Sequence, residues 1–150
     1  MAIHSARVMI ASLAAAAFAA VIPAAMAKEC YAPDQRAKDR AFSRVVTTEG
    51  GKTLWLAGHT AAPNLPFDQQ VRSIFSDIDK NIKASGGAGL ADMVTMTVFI
   101  TDARLGDRFI ELRKEAFREC FPASALITVA GLAQPGLLIE IQGLAVVGGR

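Results

Sequence analysis

Apolar side chains at Phe67, Val71, Ile74, Phe75, Ile78 and Ile82 recur every three or four residues, which lines one face of a helix, and Ser85-Gly86-Gly87 stops the run. Beyond it, Val94, Met96, Val98 and Ile100 alternate with Thr95 and Thr97, so Met93 to Thr101 reads as a strand rich in β-branched residues. Asp102 is placed to cap a second helix from about Leu105 to Glu119, with Leu105, Phe109, Leu112, Ala116 and Phe117 inward. Arg108, Glu111, Arg113, Lys114 and Glu115 then form its solvated face.

Shorter apolar runs flank this centre. Phe42 to Thr47 and Thr53 to Gly58 read as strands joined at Glu49-Gly50-Gly51-Lys52, and the glycines predict a hairpin because they accept the positive φ such turns require. His59 to Pro66, with two prolines and an Asn, is a loop. Pro122 ends the second helix, after which Ala123 to Ala130 and Leu137 to Val147 are strands separated by a turn at Gln134-Pro135-Gly136. The order is ββαβαββ, an α+β sheet with two helices on one face and an opposite face that the long apolar last strand suggests is buried in an oligomer.

The first 27 residues change the picture. Arg7 precedes an apolar run from Val8 to Val21, followed by Ala25-Met26-Ala27, the pattern of a signal peptide cleaved before Lys28. The run is shorter than the roughly 20 residues a membrane span needs. The mature chain is therefore expected to be periplasmic or secreted, with no stable membrane anchor. It divides into an irregular polar arm at 28–41 and one domain at 42–150. Cys30 and Cys120 permit one disulfide in that compartment, or remain two thiols.

Without Arg7, the 16 Lys and Arg stand against 14 Asp and Glu with almost no excess, which argues against a nucleic-acid partner. His, Cys, Asp and Glu show no metal-ligand spacing and no glycine loop opens a helix to cradle phosphates, so neither a metal nor another cofactor is expected. Two residues stand out. Glu140 is the one charge in an otherwise uncharged stretch from Cys120 to Gly149, and a carboxylate in Leu137-Leu138-Ile139-Glu140-Ile141 must be hydrogen-bonded, solvated in a cleft or shifted in pKa. The alternative is that it shares a solvent-facing strand face with Gln142. His59 follows a strand-end glycine at the mouth of a loop, a common place for a binding residue and an equally familiar place for a structural one.

Leu54-Trp-Leu-Ala-Gly58-His59, Phe67-x-x-Gln70, Asn81-Ile-Lys-Ala-Ser-Gly-Gly, Met96-Thr-Val-Phe-Ile-Thr-Asp102, Phe121-Pro122-Ala123 and Leu138-Ile-Glu140-Ile141, taken in order, resemble the Rid family of the YjgF/RidA type from Phe42 to Val147. The resemblance implies a chorismate-mutase-like fold, a homotrimer and a small-molecule cleft between subunits. It also implies cofactor-free hydrolysis of enamines and imines to a keto acid and ammonia. Glu140 would orient the attacking water, with Gly58, His59, Ser124 and the backbone near Leu126 binding substrate. Where that chemistry implies an Arg after Phe-Pro-Ala to grip a carboxylate, this chain has Ser124. The alternative is a non-catalytic ligand-binding or chaperone-like homotrimer.

Overall fold

The computed structural model describes residues 28–148; the expected signal peptide lies outside the described residues. Nine elements follow one another: β1 (Glu29–Tyr31), α1 (Gln35–Asp39), β2 (Val45–Thr47), β3 (Lys52–His59), α2 (Phe67–Ala84), β4 (Met93–Ile100), α3 (Gly106–Phe117), β5 (Ala123–Thr128) and β6 (Ile139–Val147). Short 3-10 turns at Leu90–Asp92 and Ala103–Leu105 lead into β4 and α3.

The helical period of α2 does what it predicts. Phe67, Val71, Ile74, Phe75, Ile78 and Ile82 are all buried on one stripe, against Met93, Met96, Val98 and Ile100 of β4 and Ile139, Ile141 and Ala145 of β6. Phe75 meets Phe109 at 6.1 Å and the edge of Phe117 at 5.6 Å, which locks α2 to α3. Gln70 is fully buried within this stripe, and two of its three bonds reach across the chain. It donates to the carbonyls of Leu65 and Gly136 and accepts from the Leu138 amide, tying the loop after β3 to the turn before β6.

The main sheet runs β3-β6-β4-β5. β6 lies antiparallel between β3 and β4, and β5 lies parallel to β4, a pairing that α3 makes possible as the crossover between them. The mixed α+β architecture with its two long helices over one sheet face agrees with the expectation.

Three local expectations fail. The Gly50-Gly51 turn has the predicted positive φ at both glycines, but no hairpin forms around it. β2 begins only at Val45 and pairs with β1, while β3 takes β6 as its partner, whose long apolar strand offers a far larger ladder. The arm is not irregular. Asp34 caps α1 by accepting from the Ala37 amide at 2.8 Å and also pairs with Arg44, Ala37 and Ala41 are fully buried, and Lys28 donates to the carbonyls of Ala91 and Met93. Cys30 and Cys120 form a disulfide with Cα atoms 5.2 Å apart, which fastens β1 to the segment after α3. Finally, Arg113 is not on the solvated face of α3 but buried, at 3% exposure.

Candidate functional site

Strand alternation sorts the candidate residues onto two faces of the sheet. Met96, Val98 and Ile100 of β4 point into the helix-side core, so Thr95, Thr97 and Phe99 point to the open face. Register carries the assignment outward. Glu140 sits opposite Phe99 and Gln142 opposite Thr97, so both lie on the open face. Ser124 sits beside Met96 and Leu126 beside Val98, which places both on the helix side.

On the open face, Glu140 reaches across to β3, where the ladder shifts register between Leu56 and His59. A Cβ built on Gly58 would collide with Glu140 Oε1, so the carboxylate occupies space that only a glycine leaves free. Glu140 is half-buried and makes no side-chain hydrogen bond or ion pair among the described residues. Around it the face is mostly apolar. Trp55 is 81% exposed and Ile127 41% exposed, and Trp55, Thr95, Thr97, Gln142 and Leu144 line a shallow groove of about 360 Å³.

His59 does not join Glu140. Its Nδ1 lies 2.7 Å from its near neighbour, the Ala57 carbonyl, and Nε2 lies 3.0 Å from the Asn81 amide of α2. The ring lines a separate cavity along the outer edge of β3, together with Asn81 and Ser85. This is a side chain with both ring nitrogens already engaged.

On the helix side, Ser124 and Leu126 line a cavity of about 230 Å³ with Arg36, Arg40, Phe42 and Arg113. Arg113 donates through one terminal nitrogen to Ser124 Oγ at 2.6 Å and through the other to the Arg40 carbonyl. Its Nε is buried without a partner, and its guanidinium stacks over Phe109 at 5.1 Å. Burial, and secondarily the like charge of Arg40, lowers its pKa from 12.5 to about 10. It therefore stays charged at neutral pH, with no carboxylate bonded to it. Among the described residues, no group of three or more His, Cys, Asp or Glu could hold a metal ion.

Within one chain, the five residues expected at a cleft between subunits lie in three places: Gly58 with Glu140, His59 with Asn81, and Ser124 with Leu126. Arg113 is the residue the sequence reading set aside, although its position carries the signal. It lies four residues after Phe109 and one after Leu112, inside the apolar stripe of α3. Its charged type argued for solvent where the helical period argued for the core. Arg36 and Arg40 come from the arm, which has no periodic pattern long enough to read.

Comparison with known proteins covers nearly all of the described chain. The profile of the family described as Endoribonuclease L-PSP matches residues 33–147. Among solved structures, a protein of unknown function of the conserved Rid family from Yersinia pestis is 23% identical. It aligns over 81% of this chain and 100% of its own, with a TM-score of 0.70. A member of the YjgF/YER057c/UK114 family from Mycobacterium tuberculosis is 26% identical over 81% of this chain and 100% of its own, at a TM-score of 0.60. RidA from an Antarctic Psychrobacter is 26% identical over 73% of this chain and 95% of its own, at 0.61. No curated protein sequence matches the chain.

Proposed function

The chain belongs to the endoribonuclease L-PSP family, the Rid or YjgF group, and from that premise we propose that it is an exported homotrimer with a small-molecule cleft beside Gly58 and Glu140, in which a reactive imine or enamine is hydrolysed. The observation that carries this reading is the Glu140 carboxylate, held against the Gly58 backbone on the open face with no side-chain hydrogen bond or ion pair among the described residues. Such a group is free to accept a proton from water. In the reaction the water oxygen attacks the C=N carbon as Glu140 takes one water proton and passes it to nitrogen, giving a carbinolamine. The carbinolamine hydroxyl proton then moves to nitrogen through the same carboxylate as C=O forms and the C–N bond breaks, leaving a keto acid and ammonia; an enamine first tautomerises to the imine. No cofactor enters this balance.

The trimer reading is supported by the apolar open face around Trp55 and Ile127, a surface that a second copy would cover and so close the cleft. Export is supported by the leader pattern at residues 1–27 and by the Cys30–Cys120 disulfide, which suits an oxidising compartment.

One observation favours a second reading, a binding protein without turnover. Ser124 stands where an arginine would grip the substrate carboxylate, and its hydroxyl is engaged by Arg113 on the other side of the sheet from Glu140. Keto-acid release from freshly generated 2-aminoacrylate separates the two. The purified protein should run at the mass of three chains by light scattering and accelerate release, with the acceleration falling about a hundredfold or more in Glu140→Gln. Release at the uncatalysed rate would instead support the binding protein.

A further inference from the structure

The ladder between β3 and β6 is interrupted once. Leu56 stands opposite Gly143 and His59 opposite Ile141, so Ala57 and Gly58 together face the single residue Gln142. This is a β-bulge, and its extra residue turns the side chains beyond it to the other face of the strand. In an unbroken ladder Ala57 would pair with Gln142 and Gly58 with Ile141, and His59 would stand opposite Glu140 on the open face. With the bulge, His59 shares the row of Ile141, which is buried on the helix side. Gly58 comes to lie against the Glu140 carboxylate in its place.

A bulge disrupts the regular ladder bonds, so its backbone needs other partners to keep one shape. His59 supplies them with both ring nitrogens. Nδ1 lies 2.7 Å from the Ala57 carbonyl, inside the bulge, and because a carbonyl only accepts, Nδ1 carries the hydrogen. Nε2 is then the acceptor, and the Asn81 side-chain amide donates to it at 3.0 Å. Asn81 lies on α2 between Ile78 and the adjacent Ile82, both fully buried in the core. The imidazole thus splints the bulge to a firmly packed helix. No Asp, Glu, Lys or Arg lines the cavity that His59 and Asn81 share, so these two bonds alone orient the ring.

We propose that His59 is a positioning residue for Glu140: by tying the bulge to Asn81 it holds the Gly58 backbone where the carboxylate has room to lie. It acts through Gly58 and not on the substrate, a different role from the substrate contact expected of it in the sequence. Its effect on turnover rests on the hydrolytic reading of Glu140. Its effect on the bulge does not, and exchange of the Gly58 amide reports that directly.

Keto-acid release from 2-aminoacrylate, resolved into kcat and KM, is measured beside hydrogen exchange at the Gly58 amide, followed by NMR. His59→Ala should lower kcat about tenfold or more with KM close to parental, because a small displacement of a reacting group slows chemistry without loosening the substrate. Asn81→Ala should lower kcat by as much or less, and the double variant should be no worse than His59→Ala, since both cut one path. His59→Gln, which offers the Asn81 amide a carbonyl acceptor, should recover most of the loss. In both alanine variants Gly58 exchange should quicken while Val98 exchange in β4 stays as it was. Parental kcat in His59→Ala, a raised KM with kcat kept, losses that multiply in the double variant, or a glutamine no better than alanine overturns the proposal. If the parent itself shows no turnover, the hydrolytic reading fails separately and exchange decides the matter: faster Gly58 exchange in the alanine variants supports the splint, and unchanged exchange overturns it.

Discussion

The two faces of the sheet hold opposite charges under opposite conditions. On the open face a single carboxylate, Glu140, lies among Phe99, Gln142 and the Gly58 backbone, half-buried and unpaired. On the helix side a single guanidinium, Arg113, is almost wholly buried and held by three neighbours. The difference is in what each charge has to face. Glu140 keeps contact with water, so its charge costs little and its oxygens stay available, as a group that handles water requires. Arg113 has given up its water, and its pKa has fallen to about 10 as a result.

Removing the disulfide should separate the two faces most strongly. Cys30→Ser with Cys120→Ser opens a loop of sequence separation 90, and the loss of stability should be about 2–4 kcal/mol, read by urea denaturation of the oxidised and doubly substituted proteins. The effect should fall mainly on the arm, read as faster amide exchange at Ala37, while keto-acid release on the Glu140 side stays as it was. Equal damage to both faces would mean that the arm supports the whole sheet.

The next effect in size lies on the other face. In Gly58→Ala the new Cβ collides with Glu140 Oε1, so the carboxylate must swing away. A displacement of about 1 Å at a reacting group costs about a hundredfold in rate, and keto-acid release should fall by that order while amide exchange at Ala37 stays as it was. A Gly58→Ala protein with parental turnover would detach Glu140 from the chemistry.

The smallest effect comes from acid. The hydrogen bond from Arg44, and then that from the Ala37 amide, hold the Asp34 carboxyl below its ordinary value of 3.8. A carboxyl whose folded pKa is depressed stabilises the fold above 3.8, and that contribution is lost as pH drops from there through the folded value. The α1 cap should therefore loosen only below about pH 4, with Ala37 amide exchange rising there and the effect shrinking in salt.

Much of the fold was legible where order is local. Six apolar residues at helical spacing located α2, and four at strand spacing located β4. Glu140 stood out because nothing near it in sequence is charged. The arm escaped notice because a three-residue strand and a five-residue helix are too short to show a period; the strand exists through its pairing with β2, and the helix through the Asp34 cap and the burial of its own Ala37. The pairing of β3 with β6 escaped for a similar reason. A glycine turn predicts a reversal of the chain, but the strand that lies alongside is chosen by the area it can bury.

What the sequence determined by itself, then, is which segments are helix and strand and which side of each segment is apolar, since both follow from the backbone period and the side chain at each position. Which face of the sheet Ser124 and Glu140 each occupy was decided only by tertiary structure. That depends on how β5 and β6 register against β4, and a shift of one residue would carry either side chain to the other face. The same holds for Arg113. Its place in the apolar stripe was written in the period of α3, but its bonds to Ser124 and to the Arg40 carbonyl exist because the disulfide-tied arm, distant in sequence, folds back onto α3 and β5.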